Sequence, residues 1–112
     1  MEFVAFDVET TGIDSIGDEI IEIGAVKFNA DQSTTGFGCL INPKKPIPSE
    51  ATSVNGITDK MVEGKPIIEE VLPMFAEFCG ELPLVAHNAQ FDYKFILSDV
   101  IKYKSNAPNG CV

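Results

Sequence analysis

Before residue 42 the apolar residues fall into three short runs, each separated by polar or Gly-containing segments. Residues 2–12, EFVAFDVETTG, are apolar, β-branched or aromatic at most positions, as a buried strand requires. Thr10-Thr11-Gly12 turns the chain away, and residues 13–18 read as a polar loop containing Gly17. Residues 19–28, EIIEIGAVKF, predict a second strand, with Ile21, Ile23 and Ala25 on one face and Ile20, Glu22, Gly24 and Val26 on the other. A turn over 29–32 leads to a third strand at 35–41, TGFGCLI, weakened by Gly36 and Gly38. Strands in such close succession imply an antiparallel meander.

The period then changes. Residues 42–48, NPKKPIP, form a Pro-rich connection too short to separate domains. Residues 49–55 suit a short helix, and 59–62 a further helical turn with Thr58 or Asp59 as its N-cap. Over 66–79, Ile68, Val71, Leu72, Phe75, Phe78 and Cys79 recur at the spacing of one buried helix face. Pro66 suits the first turn of that helix and Gly80 its end, while Pro73 inside it should kink it. Residues 83–87, PLVAH, read as a short buried strand. A last helix opens at Ala89 or Gln90 and runs to about Lys102, with Phe91, Phe95, Ile96 and Val100 inward and Asp92 in its first turn. The order β-β-β-α-β-α predicts an α/β domain with a mixed sheet, the fourth strand pairing parallel with the first.

Composition narrows the setting. A chain of 112 residues, 45% hydrophobic, is enough for one modest domain, taken as 1–104 with a loop-like tail over 105–112. No apolar run is long enough for a membrane span, so no membrane partner is expected, and no charged-then-apolar leader precedes the first strand. Cys39, Cys79 and Cys111 are odd in number and far apart, which argues against a zinc site or a disulfide framework and for a reducing, cytoplasmic setting. The formal net charge is −9 and the sequence has no Arg. A basic face that neutralises phosphates is therefore missing, and any nucleic-acid contact would rest on bound metal, backbone N–H groups and a few Lys. Such binding would be local to a strand end and metal-dependent.

Two acids stand inside the first apolar run. Asp7 and Glu9 are two residues apart on a strand and so share one face. Like charges held that close repel unless a cation sits between them, and Mg²⁺ and Mn²⁺ prefer carboxylate oxygens. The plainer alternative is a pair of solvated acids at a strand end. Asp92 could join them if the fourth strand lies beside the first. Three such carboxylates could hold two divalent ions about 4 Å apart, spaced to stabilise the attacking and leaving oxygens of a phosphodiester. Asp92 could equally be a helix N-terminal acid favoured by the macrodipole.

FDVETTG at 6–12 and HNAQFD at 87–92 resemble the first two motifs of the DEDD 3′–5′ exonucleases. EIIEIGAVKF, the NP-x-x-PIP segment and NGIT also resemble that family, most closely the proofreading type of the bacterial DNA polymerase III epsilon subunit and the Gram-positive replicative polymerase. The resemblance runs from about Phe3 to about Leu97. It implies an RNase H-like fold, two Mg²⁺ or Mn²⁺ ions, and release of nucleoside 5′-monophosphates from a nucleic-acid 3′ end, single-stranded DNA before RNA. A DNA polymerase subunit is the implied protein partner.

By motif position Asp7 would bridge both metals, Glu9 would ligate the one that activates water, and Asp92 would serve the second. Thr10, Thr11 and Gly12 would meet the terminal nucleotide, Ile13 would wedge against its base, and Asn88 and Phe91 would shape the pocket. His87 matches a supporting position of the second motif, or simply ends a buried strand. The family's third motif, His-x-Ala-x-x-x-Asp, carries its general base and fourth acid and does not occur in these residues. The resemblance thus implies a domain whose C-terminal part is missing, and an alternative as a non-catalytic module that binds a nucleic-acid end or a polymerase.

Overall fold

A computed structural model describes residues 1–86 and 88–103, with side chains except at 33 and 34. The three N-terminal runs form β1 (Phe3–Thr10), β2 (Ile20–Phe28) and β3 (Ser33–Leu40). Then come α1 (Ser49–Asn55), α2 (Asp59–Val62), α3 (Ile68–Cys79), β4 (Leu84–Ala86) and α4 (Ala89–Tyr103). The sheet order is β3-β2-β1-β4, antiparallel through the meander and parallel between β1 and β4. The expected α/β architecture with a mixed sheet is present. His87, Cys111 and the segment 104–112, which includes Lys104, lie outside the described residues.

β1 is paired with β2 along its length and with β4 over Val4–Phe6, so two ladders hold its first half. Along it Val4, Phe6, Val8 and Thr10 are buried while the intervening side chains are not. Val4, Phe6 and Val8 pack with Ile20, Ile23, α3 (Ile68, Val71, Leu72, Phe75, Cys79) and α4 (Phe95, Ile96) in the main core. Phe75 is central to it, with its ring 5.6 Å from Phe6 and 5.7 Å from Phe37. A second, smaller core joins Ile21, Ile47, Ala51, Ile57 and Val62 beneath α1 and α2.

Strict alternation fails in β2. Glu9 pairs with Glu22 but Thr10 with Ile20, so Ile21 is the extra residue of a bulge. Ile20 and Ile23 consequently share the main core while Ile21 turns to the second one, correcting the expectation that Ile21 and Ile23 share a face. α3 also begins later than expected, at Ile68. The Pro66 carbonyl accepts from Asn42 N, and the Glu70 carboxylate caps the helix start by accepting from Ile67 N at 3.2 Å. α3 continues as one element through Pro73, whose exposed position keeps the ring off the core. Thr58, rather than Asp59, caps α2, and Asp59 accepts from Ile47 N at 2.8 Å. No helix among the described residues is long and apolar enough to cross a membrane.

Candidate functional site

The sheet register brings the acids together. Val4, Ala5 and Phe6 pair with Leu84, Val85 and Ala86, so the chain leaves β4 beside Asp7. The first turn of α4 then comes alongside Val8. Asp92 Oδ1 accepts the Val8 N–H at 3.2 Å, and Asp92 N donates to the Asn88 carbonyl at 2.9 Å. Asp92 is 1% exposed, and its Oδ2 is buried without a hydrogen-bond partner. Asp92 does lie in the first turn of α4, where the macrodipole favours an acid, but it is buried rather than solvated.

Asp7 is exposed and stands opposite Gly24, which has no side chain to crowd it. Glu9 is half-buried and stands opposite Glu22. Burial raises the Asp92 carboxyl above the ordinary carboxylate range. The Val8 and Asn88 backbone groups oppose that rise, and the nearby Asp7 carboxyl adds to it. Glu9 is likewise raised, first by burial and then by the charges of Asp7, Glu22 and Asp92. The three acids thus feel one another.

Among the described residues no three His, Cys, Asp or Glu side chains are drawn tightly enough to grip an ion as they stand. The unpartnered Asp92 oxygen, the all-oxygen donor set and the mutual repulsion nonetheless fit a hard divalent cation.

These acids open into a pocket of about 410 Å³. Asp7, Glu9, Thr10, Thr11, Gly12, Ile13, Asn88, Phe91 and Asp92 line it, so every site residue expected from the sequence is gathered there except His87, which lies outside the described residues. The turn after β1 forms one rim, with the Thr10 hydroxyl donating to the Gly12 carbonyl. Thr11 is buried, whereas Ile13 is 86% exposed beside the pocket.

The opposite wall was not anticipated. It comes from α1, through Glu50, Ala51, Val54 and Asn55. Asn55 Nδ2 donates to the Thr10 carbonyl at 3.2 Å, and its Oδ1 accepts from Ile57 N, so α1 is clamped to the end of β1. Val54 is 86% exposed, an apolar side chain left without cover at the pocket mouth. The one sequence signal for this wall was NGIT, noted for its resemblance but given no role.

Comparison with known proteins follows the same lines. Residues 4–111 match the family model RNase_T, described as Exonuclease. Over 101 residues the chain is 52% identical to a DNA polymerase III PolC-type protein of Caldanaerobacter subterraneus subsp. tengcongensis, an alignment covering 90% of this chain and 7% of that protein. A solved structure of exonuclease X in complex with 5′ overhanging duplex DNA is 34% identical, with a TM-score of 0.70 over 83% of this chain and 52% of that one. Apo exonuclease I, 14% identical, shares the RNase H-like fold with a TM-score of 0.84 over 98% of this chain and 26% of its own. The chain therefore spans a small part of its polymerase relative and about half of exonuclease X. By its motifs, its fold and the span of the matching model, the chain belongs to the exonuclease family.

Proposed function

We propose that this chain supplies Asp7, Glu9 and Asp92 to a metal-dependent 3′–5′ exonuclease site that acts on DNA and releases nucleoside 5′-monophosphates. The observation that carries the reading is the buried, unpartnered Asp92 oxygen beside Asp7 in the pocket that Glu9 also lines. The family match and the likeness to a PolC-type polymerase support DNA as substrate and a replicative polymerase as partner, in the cytoplasm.

In this reading two Mg²⁺ or Mn²⁺ ions are held by the three carboxylates. When bound, such ions neutralise the phosphodiester and stabilise its attacking and leaving oxygens. The chain's own part is positioning. The β2 ladder carries Asp7 and Glu9 just past the end of the β1–β4 pairing, and the Val8 N–H left free there holds the Asp92 carboxylate. Thr10, Thr11 and Gly12 face the terminal nucleotide, Ile13 presses on its base, and Asn88 and Phe91 close the side toward α4.

A second reading, a module that holds a DNA end or a polymerase without cleaving, has one specific support. No described residue lining the pocket is His or Lys. A positioned general base ordinarily contributes about 10²–10⁴-fold to such chemistry.

The test is incubation of the purified chain with 3′-end-labelled single-stranded DNA and Mg²⁺ or Mn²⁺, with EDTA and Asp7→Ala as controls. Released mononucleotides that both controls abolish support the exonuclease reading. Retention of intact labelled DNA without release favours the binding module.

A further inference from the structure

We propose that Asp18, outside the pocket, is the positioning residue that shapes its Thr10–Ile13 rim; the inference rests on the exonuclease reading of that pocket. The chain between β1 and β2 closes on this one carboxylate. Asp18 Oδ1 accepts from the Thr11 hydroxyl at 3.1 Å, and Oδ2 accepts from Asp14 N at 3.0 Å. Asp18 N returns a bond to the Asp14 carbonyl at 2.7 Å.

The direction of these bonds matters. Thr11 has a single hydroxyl proton, and it goes to Asp18. The oxygen is then free to accept from Glu19 N at 3.0 Å. The Asp18 oxygen that accepts from Thr11 thereby fixes that order and helps hold Thr11 in a 5% exposed position.

Gly12 rests directly against the same group. A Cβ there would lie 2.3 Å from Asp18 Oδ2, closer than any side chain tolerates. A side chain at position 12 would therefore displace the Asp18 carboxylate from its bonds to Thr11 and Asp14. The outer part of the loop is tied separately, with Ser98 Oγ donating to the Ser15 carbonyl at 2.8 Å and Lys45 Nζ to the Gly17 carbonyl at 3.0 Å. Ser98 lies on α4, the helix that carries Asp92, so the rim and the buried acid share one support.

Asp18 does not line the pocket, and the charges that raise Glu9 and Asp92 are those of Asp7, Glu22 and Asp92 or Asp7, not Asp18. A change at Asp18 should therefore disturb nucleotide contacts and spare the metal carboxylates.

The test compares the wild-type chain with Asp18→Asn by amide hydrogen exchange and by calorimetric titration with Mn²⁺, then with thymidine 5′-monophosphate in the presence of Mn²⁺. The expected result is faster exchange at the Asp14 and Glu19 amides and nucleotide affinity lowered about five- to tenfold, the scale of one lost hydrogen bond. Mn²⁺ affinity should stay within about twofold. Unchanged exchange at those amides overturns the inference. So does a parallel fall in metal and nucleotide affinity, which marks general unfolding. If Asp18→Asn does not fold, Thr11→Val removes the hydroxyl's bonds to Asp18 and Glu19 N and must speed exchange at the Glu19 amide while leaving Mn²⁺ affinity within about twofold; unchanged exchange there overturns the inference. A wild-type chain that binds neither Mn²⁺ nor nucleotide sinks the exonuclease reading, while the exchange comparison still decides whether Asp18 shapes the rim.

Discussion

Asp92 and Asp99 are both acids on α4, both buried, and each has an Oδ2 without a partner. Asp92 faces the other acids of the pocket. Asp99 does not; burial, Glu19 and Glu69 push its carboxyl up to about 7, with Lys102 opposing. The consequence for stability has a definite sign. A carboxyl raised in the folded state keeps its proton there while the unfolded chain loses it, so stability falls as pH rises from about 4 to about 7. At roughly 1.4 kcal/mol per pKa unit, and with solvent screening removing part of the effect, the loss is on the order of 1–3 kcal/mol. Urea unfolding at pH 5 and pH 8 should show the wild-type chain weaker at pH 8 and Asp99→Asn much less so. Equal pH sensitivity in the two would contradict this account. For Asp92→Asn, the amide keeps an acceptor for the Val8 N–H and removes the repulsion with Asp7, so the metal-free melting temperature should rise. Mn²⁺, which should stabilise the wild-type chain, should no longer do so in the variant. Asp7 and Glu9 were legible in the sequence because period-two spacing on a strand fixes their common face. The burial of Asp92 and Asp99 was not, since an acid on a helix is ordinarily solvated and only the tertiary packing of α4 removes the water.

At the level of elements, α3 was readable from its apolar spacing, and its burial follows that spacing closely. Phe75→Ala should cost about 3–5 kcal/mol, measured by denaturant unfolding, because its ring lies between Phe6 and Phe37 with no solvent to refill the space. Pro73→Ala should have the opposite effect. The position is exposed and mid-helix, so restoring the N–H should add about 1–3 kcal/mol, and a loss of stability would show that Pro73 packs in a way its exposure conceals. Two features escaped pattern reading for physical reasons. The bulge at Ile21 breaks the alternation that any strand assignment assumes, and it is what lets three neighbouring isoleucines serve two cores. α1 is only seven residues long and mostly polar, so nothing in its periodicity reveals that its Val54–Asn55 end forms a pocket wall.

The whole molecule is acidic, with a net charge of −9 and no Arg, yet it belongs to a family of nucleases. At the proposed site, cations held by the carboxylates of β1 and α4 would meet the phosphate in place of a basic face. Metal-supported binding of a single-stranded oligonucleotide should therefore depend only shallowly on monovalent salt, with a log–log slope of about 2 or less in magnitude. A steep slope would reveal an extended lysine-lined track instead. The measurement closest to the central claim is Mn²⁺ titration followed by paramagnetic broadening of backbone amide signals in wild-type and Asp92→Asn chains. The account predicts saturable broadening centred on Asp7–Thr10 and the first turn of α4, reversed by EDTA and lost in the variant. Broadening that is diffuse, that centres on Glu19 and Asp99, or that persists in Asp92→Asn would contradict it.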